Sequence, residues 1–357
     1  DEVQELKQKK RILVLYSRHP KVANTVVYHI EGFTTKYSCV ISVETISNLE
    51  CRGTINTCLI SRALDKQAFL EYAPDLVISL NGNYVSTIKG LLKGCTAEFD
   101  HWSVNEEGII IDQFQRLSKV FECSMSDFFE YFNKSDNELL GKNEYYNFWQ
   151  SKLNSLPEPD FKFSSNYVMQ EFLCKIPNNS ILHHGNGVAV HIAQYFHTDK
   201  SISSYCHSGT TTIDGSLSTF IGQASASDKL CFIFIGDLSF FYDMNAIWNR
   251  YVGKNVRILL YNNEGGETFH WNAAKEIDTL HLHTSAEHFT TAKGWVESRG
   301  FKYYEAKNED EFNRLLPKFL VEESETPILF EVFTKKETDA KILLDYYEKC
   351  RIELENA

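Results

Sequence analysis

The stretch FIFIGDLSFFYDMNAIW, residues 232–248, decides the fold, because it joins an apolar run to a helix-like segment through Gly236-Asp237. A second apolar run follows in VRILLYNNEGGE, residues 256–267, which ends in Asn262-Asn263 and two glycines. Apolar runs of this length that end in polar turn residues predict buried strands of a parallel sheet. Since parallel strands end at one edge of their sheet, we expect Asp237 and Asn263 to face one crevice.

Strand and helix patterns alternate in both halves of the chain. The first half predicts strands at 11–17, 39–44 and within 73–82, and helices at 21–31 and within 124–153. The second half predicts strands at 180–186, 230–236, 256–262, 302–305 and 327–333, and helices at 168–176, 213–225, 284–299 and 309–321. We therefore predict the α/β class, with two domains that each contain a mainly parallel sheet flanked by helices.

A segment with two of the seven prolines, NSLPEPDFKF, predicts a linker at residues 154–164 between domains at 1–153 and 165–357. The first domain resembles a Rossmann fold. However, Ser17-Arg18-His19-Pro20 follows its first strand in place of a GxGxxG motif, so we expect no bound dinucleotide.

Composition narrows the classes of function. The chain has 357 residues, 43% of them hydrophobic and 24% charged, which is typical of a globular protein. Its net charge of −12 argues against binding to nucleic acid or to an anionic membrane, and no apolar stretch approaches the roughly 20 residues of a membrane span. Nine scattered cysteines without a CxxC pair argue against a zinc site or a disulfide framework, so we expect a cytoplasmic protein.

The side chains that follow the two apolar runs suit a magnesium ion. Mg²⁺ takes about six oxygen ligands, often including phosphate oxygens of a substrate. The carboxylate of Asp237, the amide oxygen of Asn263, a backbone carbonyl, two diphosphate oxygens and a water would complete this set. Gly265 and Gly266 allow the backbone to turn tightly beside the ligand. Each motif alone is typical of an ordinary turn, whereas the pair at this spacing is far more specific.

The pair resembles the GDG…NN signature of thiamine diphosphate enzymes, with Leu238 in place of the usual third glycine. TTIDGSLSTFIGQA (211–224) and GDLSFFYDMNAIW (236–248) resemble more closely the 2-succinyl-5-enolpyruvyl-6-hydroxy-3-cyclohexene-1-carboxylate synthase family of menaquinone biosynthesis. FDHWSVNEEGIIID (99–112) and GNGVAVHIAQYF (185–196) fit the same family. The resemblance extends along essentially the whole chain, but it covers only the central and C-terminal domains of the family.

The resemblance implies a set of site residues. It implies Mg²⁺ ligands at the side chains of Asp237 and Asn263 and at the backbone of Gly265. It implies contacts to thiamine diphosphate from the following residues: Gly209, Ile213, Gly236, Leu238, Ser239 and Gly266. The family's activating glutamate lies in an N-terminal pyrimidine-binding domain, which we expect to be absent from this chain.

The implied activity is the decarboxylation of a 2-oxoacid and transfer of the acyl-anion equivalent to a small-molecule acceptor. We expect the intact enzyme to be a homodimer or homotetramer and the chain alone to be inactive. A relative with other substrates is one alternative. Another is a non-catalytic cofactor-binding or structural subunit that a partner chain completes.

Several histidines are weak candidates for an acid or base. His191, His207 and His270 lie in segments that flank the presumed crevice, although each alone is more typical of a structural histidine. His183-His184, at a strand end, has the same interpretation. The trio His281, His283 and His288 is interpreted as solvated or structural, since nothing indicates matched metal geometry.

Three departures from the family pattern concern substrate. His191 and Ser208 stand where the family has arginines, and Thr87-Ile88 aligns with its Lys-Arg pair, although the adjacent Lys89 could restore one charge. Arginine binds carboxylates through a two-pronged contact. We therefore expect an acceptor less anionic than isochorismate.

Overall fold

A computed structural model describes residues 2–80, 82, 84, 87–135, 138, 139, 141–210, 212–271 and 277–357. The chain divides into two compact units, Asp1–Pro157 with Tyr347–Ala357, and Glu158–Tyr346. The division falls within residues 154–164. Each unit contains a six-stranded sheet whose paired strands are all parallel, which confirms the predicted α/β class.

The first unit alternates strands with helices. Its strands are β1 Ile12–Tyr16, β2 Cys39–Val43, β3 Thr54–Asn56, β4 Leu76–Leu80, β5 Asp100–Asn105 and β6 Leu117–Glu122. Its helices are α1 Glu2–Gln8, α2 Asn24–Thr34, α3 Cys58–Ala63, α4 Ile88–Gly94, α5 Met125–Ser135 and α6 Glu144–Ser155. The sheet order is β3-β2-β1-β4-β5-β6, so the chain builds outward from β1 in one direction and then in the other.

The segment within 124–153, where the sequence predicts helix, is aromatic and packs a helix against this sheet. Phe128, Phe129 and Phe132 share one face of α5 and are buried in a cluster with Phe33 and Trp102. The segment is not continuous, because α5 and α6 are separate helices with their own N-terminal starts. The same cluster contains buried residues of β1, β2, β4 and β5, so α5 is part of the core of the first unit.

The second unit repeats the pattern. Its strands are β7 Ile181–His184, β8 Ser203–Cys206, β9 Cys231–Gly236, β10 Val256–Asn262, β11 Lys302–Ala306 and β12 Ile328–Phe333. Its helices are α7 Ser165–Leu173, α8 Val188–Ala193, α9 Ser216–Ser225, α10 Asp237–Tyr242, α11 Lys293–Ser298 and α12 Glu309–Phe319. Helix α13, Lys336–Asn356, begins in this unit and ends among residues that group with the first.

The strand order of the second sheet, β11-β12-β10-β9-β7-β8, places the predicted site. The chain leaves β7 for β8 on one side, and it leaves β9 for β10 on the other. A crevice therefore opens outside the carboxyl ends of β7 and β9, where open α/β sheets bind ligands. Register pairing sets Gly236 beside Tyr261, so Asp237 and Asn263 follow adjacent strand ends.

The helix predicted at 284–299 is wrong over most of its length. A π-helix spans Leu280–Thr284 and α11 starts only at Lys293. Between them, the carbonyl of Ser285 accepts a bond from the Gly266 N–H, and the N–H of Ala292 donates to the carboxylate of Glu331. These backbone groups bond to other elements, which is incompatible with an uninterrupted helix.

No helix in the described part of the chain is long and apolar enough to cross a membrane. All nine cysteines are free thiols.

Candidate functional site

Asp237 is the buried centre of the crevice, at 2% exposure in the first turn of α10. Its Oδ2 atom accepts hydrogen bonds of 3.0 Å from the backbone N–H groups of Asn263 and Gly265. Its Oδ1 atom accepts one of 2.6 Å from the N–H of Leu238. A carboxylate that accepts three backbone bonds keeps a fixed orientation, so the two adjacent strand ends are joined through this side chain.

The turn after β10 requires glycine at Gly265. Its φ of +139° lies in a region that other residues rarely adopt, and an added Cβ would approach the carbonyl oxygen of Ser285 to 2.5 Å. The next N–H, of Gly266, donates to that same oxygen at 2.7 Å. The two predicted glycines therefore make the tight turn that the sequence indicated.

The side chain of Asn263 is completely buried and lies between two acids. Its Nδ2 atom donates to Glu267 Oε2 at 2.8 Å and to Asp339 Oδ2 at 3.1 Å. Its Oδ1 atom is buried and has no hydrogen-bond partner among the described residues. Such an orphaned acceptor is costly unless a ligand, an ion or an ordered water satisfies it.

Glu267 and Asp339 are buried acids that no sequence motif indicates. Burial raises the pKa of Asp339 to about 6 and the pKa of Glu267 well above its usual range, and the charge of Asp339 adds to the effect at Glu267. Burial first, and then the charges of Glu267, Asp237 and Asp339, also raise the pKa of the Tyr261 phenol. Acidic groups thus concentrate beneath the turn after β10. Asp339 lies 76 residues beyond Asn263, so no local motif could have revealed this contact.

His288 lies beside the predicted metal ligand, with Nε2 3.2 Å from Asp237 Oδ2. The sequence groups His288 with His281 and His283, which are exposed. His288 differs because its segment folds back on the crevice, where its backbone N–H donates to the carbonyl of Glu264. The irregular backbone that replaces the predicted helix brings it there.

Three loops converge on the crevice. Asn186, after β7, donates from Nδ2 to the carbonyl of Thr212, in the loop after β8, at 3.0 Å. A Cβ added at Gly187 would lie 3.5 Å from Thr268 Oγ1, in the segment after β10. The predicted cofactor contacts are distributed among the loop after β8 and the ends of β9 and β10: Gly209, Ile213, Gly236, Leu238, Ser239 and Gly266. Of these, Ser239 is buried and Gly209 is exposed.

The three candidate histidines fall at two places. His191 on α8 approaches the ring of Trp271 to 6.1 Å, and His270 adjoins Trp271 in sequence, with its pKa lowered by burial. His207 lies instead near the start of α9, where Nδ1 is 3.2 Å from Thr219 Oγ1. The structure therefore does not bring all three together.

The positions that depart from the family pattern lack exposed charge. Ile88 is fully buried at the start of α4, and Thr87 Oγ1 donates to the carbonyl of Ser61 at 2.8 Å. Lys89 is half-buried, and burial lowers its pKa. In the second unit, Ser208 is 9% exposed. Thr87, Ile88 and Ser208 therefore supply no cationic group at these positions.

No cluster of three or more histidine, cysteine, aspartate or glutamate side chains within the described ranges is arranged to hold a metal ion. The predicted site is of another kind, because it uses one carboxylate, one amide oxygen and one backbone carbonyl. The orphaned Asn263 Oδ1 atom fits that oxygen set, and oxygen ligands suit a hard cation.

Fold and site together define an α/β protein of the kind that binds its ligand outside the carboxyl ends of parallel strands. No family model matches the chain. Curated relatives do match. One from Bacteroides thetaiotaomicron is 38% identical over 81% of this chain and 52% of the relative. One from Bacteroides fragilis is 41% identical over 78% of this chain and 50% of the relative. One from Christiangramia forsetii is 32% identical over 89% of this chain and 57% of the relative.

All three relatives are named 2-succinyl-5-enolpyruvyl-6-hydroxy-3-cyclohexene-1-carboxylate synthase. The chain belongs to this enzyme family, as its motifs predicted. It spans about half the length of the curated relatives that it matches.

Proposed function

We propose that this chain forms the magnesium- and diphosphate-binding part of a thiamine diphosphate-dependent synthase. The synthase would decarboxylate a 2-oxoacid and transfer the acyl-anion equivalent to a small acceptor, as a cytoplasmic homo-oligomer. The observation that carries the proposal is the buried, unpartnered Oδ1 atom of Asn263, whose backbone N–H holds Asp237 in place. The name shared by the relatives supports the reaction class.

In this proposal, Asp237 and Asn263 hold Mg²⁺ with their side-chain oxygens and Gly265 holds it with its backbone carbonyl. Gly236, Leu238 and Ser239 line the place of the diphosphate, and Gly265 keeps the backbone close because it has no side chain. When bound, thiamine diphosphate supplies carbanion stabilisation. The chain contributes binding and orientation, through a carboxylate fixed by three backbone N–H groups.

The acceptor in this proposal is less anionic than isochorismate. His191 and Ser208 replace family arginines, and the buried Ile88 presents no charge. Each lost charge-assisted contact costs about 1.5–3 kcal/mol, so three losses imply roughly a 10³-fold lower kcat/KM or worse.

The test is calorimetry of thiamine diphosphate binding with Mg²⁺, on the protein expressed from its complete reading frame. Asp237→Ala should abolish Mg²⁺-dependent binding, whereas Asp228→Ala, at an exposed turn before β9, should leave it unchanged. Equal affinity in wild type and Asp237→Ala would refute the assignment. Cofactor binding without turnover of any 2-oxoacid in a panel would favour the alternative of a cofactor-binding subunit completed by a partner chain.

A further inference from the structure

We propose that Glu267 and Asp339 are positioning residues, which hold the amide nitrogen of Asn263 so that its oxygen faces the metal. This inference rests on the proposed function, because it takes Asn263 as a magnesium ligand. It assigns a role to two buried acids that lie outside the ligand set itself.

The first step is the saturation of the amide nitrogen. An asparagine amide has two N–H donors, and Asn263 directs one to Glu267 Oε2 and the other to Asp339 Oδ2. Both donors are therefore used on one side of the side chain. The Oδ1 atom points away from the two acids and is buried without a partner in the described part of the chain.

The second step is the exclusion of the flipped amide. Rotation of the Asn263 amide by half a turn would remove both hydrogen bonds. It would also set the carbonyl oxygen against Glu267 Oε2 and Asp339 Oδ2, which already accept bonds from Ser165 and Thr334. Two acceptors that face one another in a buried place are unfavourable. The acids thus select one of the two amide orientations, which is what partners behind a metal ligand do in other metal sites.

The third step is that the acids are held independently of Asn263. Asp339 accepts bonds from Thr334 Oγ1 at 2.6 Å and from the N–H of Ser165 at 3.1 Å. Glu267 Oε2 accepts a bond from Ser165 Oγ at 3.2 Å. Ser165, at the start of α7, therefore ties both acids together, and they form a preset receptor for the Asn263 amide.

The experiment uses Glu267→Gln and Glu267→Met as a matched pair in the protein from its complete reading frame. Glutamine can keep an acceptor oxygen at the Oε2 position, which receives the hydrogen bonds of Asn263 and Ser165. Methionine keeps the length of the side chain without the acceptor. Asp339→Ala removes the second acceptor, and Asp345→Ala, exposed on the same helix and paired with Lys341, is the control.

Two quantities are measured. Mg²⁺ affinity is obtained by titration at a fixed concentration of thiamine diphosphate, and we expect it to fall about 10–100-fold in Glu267→Met and Asp339→Ala. Glu267→Gln and Asp345→Ala should retain affinity close to wild type. The exchange of the Asn263 side-chain amide protons is followed by NMR of ¹⁵N-asparagine-labelled protein without ligand. It should be slow in wild type and Glu267→Gln and faster in Glu267→Met.

The outcomes separate this inference from the proposed function. A wild-type protein without Mg²⁺-dependent cofactor affinity overturns the proposed function, and the metal part of this inference with it. Wild-type binding that Glu267→Met and Asp339→Ala leave unchanged overturns the inference alone. Fast amide exchange in the wild type also overturns it, whatever the metal does. Thermal melts of each variant show whether weaker binding comes from general unfolding instead.

Discussion

The carboxylate of Asp237 accepts a hydrogen bond of 3.0 Å from the backbone N–H of Asn263, across the carboxyl ends of β9 and β10. The bond is buried and its acceptor is an acid, so it contributes on the order of 1.5–3 kcal/mol. It links the two segments that the sequence motif joins only by spacing. The sheet register therefore sets the geometry of the crevice before any ligand arrives.

Gly265→Ala should destabilise the protein by roughly 3 kcal/mol or more, because it combines a disfavoured φ with a clash. The φ is +139° and the new Cβ would approach the carbonyl oxygen of Ser285 to 2.5 Å. Urea unfolding followed by circular dichroism measures the change.

Gly300→Ala is the matched control, since Gly300 has φ +81° and no atom within 4 Å of an added Cβ. It should cost only about 1–2 kcal/mol, the conformational part. Equal losses in the two variants would show that the contact with Ser285 is unimportant.

Acid should weaken the second unit through two buried histidines. Burial lowers the pKa of His184 to about 3 and of His183 to about 4, whereas both titrate near pH 6.5 in an unfolded chain. The unfolded chain therefore binds more protons between these values. The stability present above about pH 6.5 is lost as the pH falls, by about 2 kcal/mol for each histidine at about pH 5.

His184→Leu should remove about half of this pH-dependent loss. Neither ring nitrogen of His184 has a partner among the described residues, so its replacement should not weaken the protein at about pH 7.5. His183→Leu is the comparison, because His183 Nε2 lies 2.6 Å from Gln223 Oε1 and its loss leaves that oxygen unpaired. The test compares the urea midpoints of each variant and of the wild type at the two pH values. An unchanged difference in His184→Leu would contradict the assignment.

Glu331→Ala should destabilise the protein by about 3 kcal/mol or more. Glu331 is completely buried and accepts bonds from Asn262, Thr291, Ala292 and Tyr303. Its loss leaves several donors unpaired, whereas Tyr303→Phe removes one donor and should cost only about 1 kcal/mol. Thermal and urea unfolding of both variants test the order. A smaller effect of Glu331→Ala than of Tyr303→Phe would show that the hydrogen bonds to Glu331 do not stabilise the protein as expected.

His191→Arg should raise kcat/KM for 2-oxoglutarate with isochorismate about 10-fold or more, since one two-pronged contact to a carboxylate is restored. His191→Lys supplies the charge without the planar fork, so its gain should be smaller. Steady-state rates of the protein from its complete reading frame measure both. No gain in either variant would remove His191 from the explanation of acceptor preference.

The sequence predicted the candidate site residues that come directly after a strand. Asp237, Asn263 and the glycine turn were predicted from two apolar runs and their endings, because parallel strands bring their carboxyl ends to one edge. Glu267 and Asp339 were not predicted. A glutamate in a turn and an aspartate near a helix start have no local signal, and only tertiary packing brings them to the Asn263 amide.

The secondary-structure prediction was wrong where backbone groups form hydrogen bonds with other elements near the crevice. The residues from Ser285 to Ala292 have a helix-compatible composition, yet Ser285 and Ala292 bond to Gly266 and Glu331 instead. Those bonds also bring His288 to Asp237, which the spacing of the three histidines did not indicate. Strands β3, β5, β6 and β8 were not predicted, because polar residues interrupt all four and β3 and β8 are also short.

The bond from the N–H of Ser165 to Asp339 spans 174 residues of chain. During synthesis, Ser165 leaves the ribosome long before Asp339. Helix α7 therefore emerges while its acid partner is still untranslated. Parallel sheets with such distant partners fold slowly and expose apolar strands while they wait. The crevice is thus among the last parts of the unit to fold. The apolar strands of the second sheet most need chaperones in the interval before α13 emerges.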